Sequence, residues 1–242
     1  MWHIQKIDPL RHIADKKYIA LVGAGGKTSL MEYLAARVAS QHRKAAITTT
    51  TKIYAREPYR LLSKGSLNTA TQGGVVRIGK TLENEKLTAL DFEDLLELGG
   101  SFDTILIEAD GAKGRPLKYP ASHEPVIPPF SELVFVVAGL DGFFGPVREK
   151  VFRWELFEKE GGRTGDGIVS PDIFAMLLTN ESMLKNVQKA HCLFVLNKYD
   201  ALIKRESPIE VAKAIMRNTG LQMVIIASVA CDLFYEVRQL TG

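Results

Sequence analysis

Residues 18–29 read Tyr-Ile-Ala-Leu-Val-Gly-Ala-Gly-Gly-Lys-Thr-Ser, an apolar run followed by a glycine cluster and then Lys-Thr. The apolar run predicts a buried strand over Tyr18–Val22, and the residues after Thr28 repeat with helical periodicity. A glycine-rich turn between a strand and a helix lets the backbone N–H groups of the helix start face an anion. The pattern therefore predicts a phosphate-binding loop, with Lys27 on phosphate and the hydroxyl of Thr28 on Mg²⁺. The nucleotide-binding residues expected in it are Gly23, Ala24, Gly25, Gly26, Lys27, Thr28 and Ser29.

The spacing of this loop differs from the common Walker A pattern G-x-x-x-x-G-K-[ST], because Leu21 stands where the first glycine would fall. The shorter spacing, Gly23-x-x-Gly26 followed by Lys-Thr, resembles the loops of the Mur-type peptide ligases. An ordinary strand-to-helix turn has many of the same features. The loop alone therefore does not establish a function.

Composition limits the function classes. The chain has 242 residues, enough for one large α/β domain over 1–242. Its 31 basic and 28 acidic residues give a net charge of +3 without a basic stripe, so we expect no nucleic-acid partner. The sequence shows neither a secretory signal pattern nor an apolar run of the ~20 residues that span a bilayer. With only Cys192 and Cys231, we expect a cytoplasmic protein with no membrane partner.

Short β-branched runs alternate with amphipathic stretches, which predicts an α/β, three-layer, P-loop NTPase-like fold with a mainly parallel central sheet flanked by helices. The predicted strands are Tyr18–Val22, Ala45–Thr49, Val75–Ile78, Thr104–Glu108, Leu133–Ala138, Cys192–Asn197 and Met223–Ser228. The predicted helices are Thr28–Gln41, Leu87–Leu98, Pro171–Leu178, Pro208–Thr219 and Ala230–Leu240. Two segments depart from the alternation. Residues 113–130 carry five prolines and predict an irregular loop. Residues 139–167, rich in glycine and charge, predict an insertion.

The strand Thr104–Glu108 continues into Ala-Asp110-Gly111. An apolar strand that ends in carboxylates is the Walker B arrangement, in which the acids meet Mg²⁺. Because Glu108 and Asp110 are two residues apart, they would face the same side of a straight strand. We therefore expect Lys27, Glu108 and Asp110 to carry any catalysis, and Thr28 and Asp110 to hold the metal. A strand that simply runs into an Asp-Gly turn is the alternative interpretation.

A third motif follows the strand Cys192–Asn197, where the chain reads Asn197-Lys198-Tyr-Asp200. Asn-Lys-x-Asp is the guanine-reading motif of GTP-binding proteins. The aspartate accepts from N1–H and the exocyclic amine of guanine, the lysine stem packs along the base, and the asparagine ties the loop to the phosphate loop. The strand Met223–Ser228 then ends in Ala-Ser, where GTPases place a backbone N–H near the guanine O6. We expect Asn197, Lys198, Asp200 and Ser228 to bind the nucleotide, since open α/β sheets bind ligands at the carboxyl ends of their strands.

Weaker candidates flank these motifs. The hydroxyl of Thr50 and the ammonium of Lys52 follow the second predicted strand, where a switch segment could meet phosphate. A β-favouring threonine run with a solvated lysine explains the same residues. Substrate contacts in the proline-rich loop are the remaining candidates: Lys113, Arg115, Lys118 and His123.

Residues 18–29, 48–52, 107–118 and 123–128 together resemble the selenium-dependent molybdenum hydroxylase accessory protein family, also called the YqeC family. Ile107-Glu-Ala-Asp-Gly-Ala-Lys-Gly-Arg-Pro-Leu-Lys118 is the most specific of these stretches. The resemblance implies a P-loop nucleotide-binding protein that acts in the maturation of molybdenum hydroxylases with a labile selenium. One departure is that Phe144 stands where family members often have a lysine.

The sequence and the resemblance together predict an accessory protein that binds GTP or ATP with Mg²⁺, with GTP favoured. Such a protein would act as a GTPase-like NTPase on a client molybdenum hydroxylase or its cofactor-maturation proteins. One alternative is an ATP- or GTP-dependent kinase or ligase whose small acceptor is held by residues 113–124. A second alternative is a binding module in which a cysteine carries the transferred group.

Overall fold

The apolar runs of the sequence form the strands of one large sheet and two small ones. The computed structural model describes residues 1–62, 74–161, 164–179, 181–188, 191–202 and 208–239. The strands, in chain order, are β1 (Trp2–Lys6), β2 (Tyr18–Gly23), β3 (Ala45–Thr49), β4 (Lys52–Tyr54), β5 (Tyr59–Leu61), β6 (Val75–Gly79), β7 (Leu82–Glu83), β8 (Lys86–Thr88), β9 (Thr104–Glu108), β10 (Leu117–Lys118), β11 (Leu133–Gly139), β12 (Val151–Phe152), β13 (Cys192–Asn197), β14 (Met223–Ser228) and β15 (Leu233–Gln239). The α-helices are α1 (Lys27–Ala39), α2 (Phe92–Leu98), α3 (Val147–Lys150), α4 (Trp154–Lys159), α5 (Pro171–Leu177) and α6 (Pro208–Thr219). None of these described helices combines the length and hydropathy needed to cross a bilayer.

The large sheet has ten strands in the order β1-β15-β14-β13-β11-β2-β9-β3-β6-β5. Every neighbouring pair from β14 to β5 is parallel, whereas β15 is antiparallel to both β14 and β1. Parallel strands point their carboxyl ends to one edge, so the segments that follow β2, β9, β11 and β13 meet there. The predicted mainly parallel α/β sheet is confirmed.

Helices cover both faces of the sheet. On one face, Leu30 and Leu34 of α1 pack against Ile19 and Leu21 of β2 in a continuous buried cluster. On the other face, α5 and α6 pack against the alternate residues of the same strands, including Ala20 and Val22. Because successive side chains of a strand point to opposite faces, an uninterrupted apolar run such as that of β2 requires a helix layer on each side. The layered arrangement fixes the loop after β2 between the two layers.

Two predicted helices are wrong in whole or in part. The segment predicted as a helix over Ala230–Leu240 forms strand β15, which pairs with β14 and β1. Its aromatic and β-branched residues suit a pleated edge, and the ring of Phe234 packs 5.0 Å from that of Tyr33 on α1. The predicted helix Leu87–Leu98 begins only at Phe92, because Asp91 caps it by accepting from the backbone N–H of Asp94. The residues just before Asp91 include β8.

The proline-rich loop and the insertion pack on each other. Strand β10 of the loop pairs in parallel with β12 of the insertion, outside the large sheet. The insertion also sends Val147, Val151 and Phe157 into the core. These contacts hold the loop against the carboxyl edge of the sheet. Gly162 and Arg163 of the insertion lie outside the described residues.

Candidate functional site

The loop between β2 and α1 is too tightly packed for any residue but glycine at three positions. Gly23, Gly25 and Gly26 have φ angles of 93°, 73° and 119°, in the left-handed region that side chains rarely adopt. A Cβ on Gly25 would lie 2.1 Å from the backbone nitrogen of Gly139, and one on Gly26 would lie 2.4 Å from Nδ2 of Asn197. The glycines therefore let this loop approach both β11 and the segment after β13.

Four backbone N–H groups at the start of α1 point out of the helix end. The first helical bond of α1 runs from the N–H of Leu30 to the carbonyl of Gly26. The N–H groups of Gly26, Lys27, Thr28 and Ser29 have no acceptor within the described part of the chain. A 13-residue helix also directs the positive end of its dipole here. The arrangement is suited to an oxyanion.

Two other predicted loop residues are already hydrogen-bonded through their backbone. The N–H of Ala24 donates to the carbonyl of Val137 at 2.8 Å, and that of Gly25 donates to the carbonyl of Arg115 at 3.1 Å. Ala24 and Gly25 thus shape the loop in this structure, and their N–H groups do not face the helix end. The backbone N–H groups that remain without an acceptor in the described residues are those of Gly26, Lys27, Thr28 and Ser29.

Lys27 is folded back onto its own loop. Its side chain is 4% exposed, and Nζ donates to the carbonyl of Gly23 at 2.6 Å and lies 3.1 Å from Oδ1 of Asp110. A lysine in this position can reach an anion at the helix start only by leaving these two oxygens.

The two carboxylates of the acidic strand have different partners. Oε2 of Glu108 accepts from the hydroxyl of Thr28 at 3.1 Å. Oδ2 of Asp110 accepts from the N–H of Gly23 and from Nζ of Lys118, both at 2.9 Å. Burial raises the pKa of Glu108, and the nearby charge of Asp110 adds to that effect while Lys27 opposes it. The acid beside the predicted metal-binding hydroxyl is therefore Glu108, whereas Asp110 lies among lysines.

The donor set at this point fits Mg²⁺ better than a transition metal. No group of three or more His, Cys, Asp or Glu side chains that could hold a metal ion occurs in the described ranges. Mg²⁺ commonly takes one or two protein oxygens and completes its shell with phosphate and water. The hydroxyl of Thr28 and the carboxylate of Glu108 supply such oxygens.

Lys118 is buried within a row of alternating charges. Its side chain is 1% exposed, and Nζ donates at 2.9 Å to Asp110, to Glu124 and to the carbonyl of Gly111. Glu124 in turn accepts from both terminal nitrogens of Arg153 in the insertion. The three hydrogens of the Lys118 ammonium are thus all donated to acceptors inside the protein in this structure. Its substrate role stays a prediction.

The predicted base-reading residues lie beside the phosphate loop. Nδ2 of Asn197 donates to the carbonyl of Gly25 at 3.0 Å, and its Oδ1 accepts from the N–H of Val229 at 3.3 Å. The hydroxyl of Ser228 donates to Oδ1 of Asp200. The expected tie between the asparagine and the phosphate loop is thus present in the structure. Together these bonds join the segments after β2, β13 and β14.

Lys198 is held by a residue of the insertion. It adopts a left-handed conformation with φ of 63°, and Nζ donates to Oδ2 of Asp141 at 2.7 Å. Asp141 follows Gly139, whose backbone packs against Gly25. This ion pair therefore ties the base-reading segment to the segment that packs against the phosphate loop.

The weaker candidates do not converge on one site. The hydroxyl of Thr50 donates to the carbonyl of Val126 at 2.7 Å, and the exposed Lys52 pairs with Glu83 at 2.8 Å. The remaining three residues lie on the loop surface: Lys113 faces the ring of Phe152 at 5.7 Å, Arg115 donates to the carbonyl of Arg148, and His123 is exposed. Their substrate roles stay predictions.

Sequence reasoning missed Asp141, the partner of Lys198. Asp141 lies two residues after the end of strand β11, so the signal that identified the other candidate residues would also have found it. The pairing of Glu124 with Arg153 could not be predicted, because it depends on how the insertion folds back.

The two cysteines differ in their surroundings. Burial raises the pKa of Cys192 to about 12, so its thiol stays protonated at neutral pH. Cys231 is exposed in the short turn between β14 and β15.

Comparison with known proteins gives the following matches. A family model described as YqeC protein matches residues 19–155. The curated "Uncharacterized protein YqeC" of Escherichia coli (strain K12) is 35% identical over 204 residues, which cover 75% of this chain and 75% of that protein. No solved structure matches the chain significantly. The family match includes the phosphate loop, the acidic strand and Arg153, whereas Asn197–Ser228 lies beyond it.

Proposed function

We propose a function from one premise: the chain belongs to the YqeC protein family. The protein binds a nucleoside triphosphate with Mg²⁺ at the carboxyl edge of its sheet, with GTP preferred. It uses the nucleotide in the maturation of selenium-dependent molybdenum hydroxylases, acting on the hydroxylase or on its cofactor-maturation proteins.

The observation that carries the nucleotide part is the position of Asn197. Its amide bonds to the phosphate loop at Gly25 and to the segment after β14 at Val229. An anion at the start of α1 and a purine beside Asp200 would therefore belong to one ligand. Four available N–H groups at the helix start support the same interpretation.

The preference for GTP rests on Asp200. A carboxylate accepts two hydrogen bonds from the N1–H and amine of guanine, whereas adenine has an unprotonated N1 and no amine at C2. The hydroxyl of Ser228 orients Asp200 by donating to its Oδ1. The other oxygen, Oδ2, stays available to the base.

In the proposed complex, Lys27 leaves the carbonyl of Gly23 and contacts phosphate oxygens, and Mg²⁺ binds the hydroxyl of Thr28 with Glu108. Asp110, expected from the sequence to hold the metal, instead shapes the loop through its bond to the N–H of Gly23. Glu108 lies where it could also orient a water molecule against the terminal phosphate.

The role in hydroxylase maturation rests on the resemblance carried by residues 107–118 and 123–128. It is tested in cells that depend on a selenium-containing molybdenum hydroxylase. Deleting the gene should abolish hydroxylase activity, and the Lys27→Ala variant should fail to restore it. Restoration by Lys27→Ala would separate the cellular role from nucleotide binding.

Equilibrium binding of GTP and ATP, with and without Mg²⁺, tests the nucleotide part. Lys27→Ala should weaken Mg-GTP binding by roughly ten- to hundredfold, since a hydrogen bond to a charged group contributes about 1.5–3 kcal/mol. Lys6→Ala is the control, because Lys6 is exposed on β1 at the far edge of the sheet. Equal Mg-GTP affinities of the two variants would refute the assignment of residues 23–29 as a phosphate-binding loop.

One observation favours a kinase or ligase acting on a small acceptor. A groove of about 560 Å³ is lined by residues that include Thr50, Phe92 and Val126. The N–H of Thr50 donates to the carbonyl of Glu108, so this groove opens next to the acidic strand. Release of inorganic phosphate from GTP without any acceptor would favour the GTPase. Turnover that appears only when cell extract metabolites are added would favour the kinase or ligase.

A further inference from the structure

A buried row of charges leads from the phosphate loop to the insertion. Its members alternate in sign: Lys27, Asp110, Lys118, Glu124 and Arg153. Four of the five side chains are less than a tenth exposed, Arg153 being the exception. Three cations thus face two carboxylates, and Asp110 is the only member that contacts two lysines.

The position of Asp110 creates an obstacle to nucleotide binding. In the proposed complex, Lys27 must leave Oδ1 of Asp110, which it approaches to 3.1 Å. A carboxylate that is 3% exposed is very unfavourable without a countercharge. If Lys27 were its only partner, Asp110 would hold the lysine away from the phosphates.

Lys118 supplies the second countercharge. Its ammonium lies 2.9 Å from Oδ2 of Asp110, the oxygen that Lys27 does not contact. Glu124 and the carbonyl of Gly111 fix the other two hydrogens of the ammonium, also at 2.9 Å. Arg153 then neutralises Glu124 from the insertion. Lys118 is thereby fixed against Asp110 whether or not Lys27 is present.

We propose that Lys118 is a positioning residue that keeps Asp110 neutralised and so releases Lys27 to the phosphates of the nucleotide. The proposal rests on the proposed function and adds to it a residue that never touches the ligand. The proposal also explains why loop 113–130 contacts insertion 139–167, because that contact places Glu124 and Arg153 around the buried ammonium of Lys118.

A double-mutant cycle on Mg-GTP affinity tests the proposal. The four proteins are the wild type, Lys118→Met, Lys27→Met and the double variant. Methionine keeps much of the lysine volume without its charge. We expect Lys118→Met to weaken binding at least tenfold in the wild type but less than threefold in the Lys27→Met background, where Lys27 is already absent and Asp110 cannot hold it away from the phosphates. The same factor in both backgrounds, or no loss in the wild type, would overturn the proposal.

Lys17→Met is the matched control. Nζ of Lys17 donates to the carbonyl of Gly99 at 2.6 Å, and the residue lies just before β2, at the opposite end of that strand from the phosphate loop. We expect this variant to lose stability without losing GTP affinity. A loss equal to that of Lys118→Met would show that the effect is general destabilisation and would overturn the proposal.

Glu124→Gln provides a second test if Lys118→Met does not fold. The amide leaves the Lys118 ammonium in place and removes the carboxylate that competes with Asp110 for it. GTP affinity should therefore hold or rise even though the melting temperature falls. A drop in affinity would contradict the proposal. A wild-type protein that binds no Mg-GTP would instead refute the proposed function and this inference with it, whereas normal wild-type binding without coupling would refute this inference alone.

Discussion

At the residue scale, the burial of Glu108 affects both the stability of the fold and the role proposed for this carboxylate. Burial raises its pKa, so the folded protein holds the Glu108 proton more tightly than the unfolded chain does. The stabilising contribution of the protonated form is complete below the ordinary pKa of 4.5 and is lost as pH rises through the raised value. Ionisation of Glu108 therefore weakens the fold, although the ionised form is the one expected to meet a metal ion.

Glu108→Gln should raise the free energy of unfolding at pH 7 and lower the rate of phosphate release from GTP. The amide can still accept from Thr28, but it cannot act as an anion towards Mg²⁺ or water. Urea unfolding at pH 4 and pH 7 measures the first effect, which should shrink at the lower pH. The exposed Glu93→Gln is the control. Destabilisation by Glu108→Gln at pH 7 would contradict the assignment.

Asp200→Asn should exchange the preferred base. The amide donates to the C2 carbonyl of xanthine, where the carboxylate accepts from the amine of guanine. We expect GTP binding to weaken by roughly tenfold or more and xanthosine triphosphate binding to improve, since a hydrogen bond to a charged group is worth about 1.5–3 kcal/mol. Competition with a fluorescent GTP analogue measures both. An unchanged ratio of the two affinities would argue against base reading by this residue.

At the element scale, the antiparallel edge formed by β15 and β1 contains a buried charge cluster. Glu236 on β15 is fully buried, and it contacts Arg238, Arg11 and Nε2 of His12. Burial lowers the pKa of His12, although Glu236 opposes the shift. The unfolded chain therefore takes up the proton more readily, and the fold loses stability as pH falls through the ordinary value of 6.5.

Replacing His12 by Gln should flatten this dependence. We expect the wild type to lose stability between pH 7 and pH 5, and His12→Gln to lose less over the same interval. Glu236 keeps its charge throughout this interval, since burial tends to raise the pKa of Glu236 but the hydrogen bond from Arg238 brings it below its ordinary value. Chemical unfolding at several pH values measures the effect. Parallel curves for the two proteins would exclude His12 as the source.

The same elements show what the sequence could predict. The central strands β3, β9, β13 and β14 begin and end where their apolar runs do, because a strand buried on both faces needs an uninterrupted run. The helix prediction for the segment that forms β15 is wrong because this strand depends on pairing with β14 and with a strand more than two hundred residues away. The short strands β7 and β8 were missed for the same reason, as their stability comes from partners.

The candidate site likewise contains some residues that the sequence could predict and some contacts that it could not. Lys27, Thr28 and Asn197 were identified because their chemistry follows from local motifs at strand ends. The contact of Lys118 with Asp110 was not predictable, since it depends on how the proline-rich loop folds back onto the acidic strand. A motif fixes residue types, but only the folded loop decides which carboxylate meets which cation.

At the scale of the whole molecule, nucleotide binding and stability are linked. Mg-GTP at a hundred times its Kd should raise the free energy of unfolding by about 2.7 kcal/mol. For a chain of this size, that corresponds to a rise in Tm of roughly 5–10 °C. Differential scanning fluorimetry measures the shift, with Mg²⁺ alone and ATP as comparisons. Lys27→Ala should show a much smaller shift, and an equal shift in that variant would show that the stabilising ligand does not use the phosphate loop.

The pairing of β1 with β15 has a consequence for how the chain folds during its synthesis. Trp2 lies opposite Gln239 and Lys6 opposite Tyr235 in the register of these two strands. During synthesis, β1 therefore leaves the ribosome more than two hundred residues before β15, the strand with which it pairs. Contacts between such distant positions slow folding. The chain must lose the conformational entropy of closing a long loop before the hydrogen bonds between the two strands can stabilise it. Until then, β1 is an unpaired edge in a nascent chain, and a chaperone has its longest opportunity to bind there.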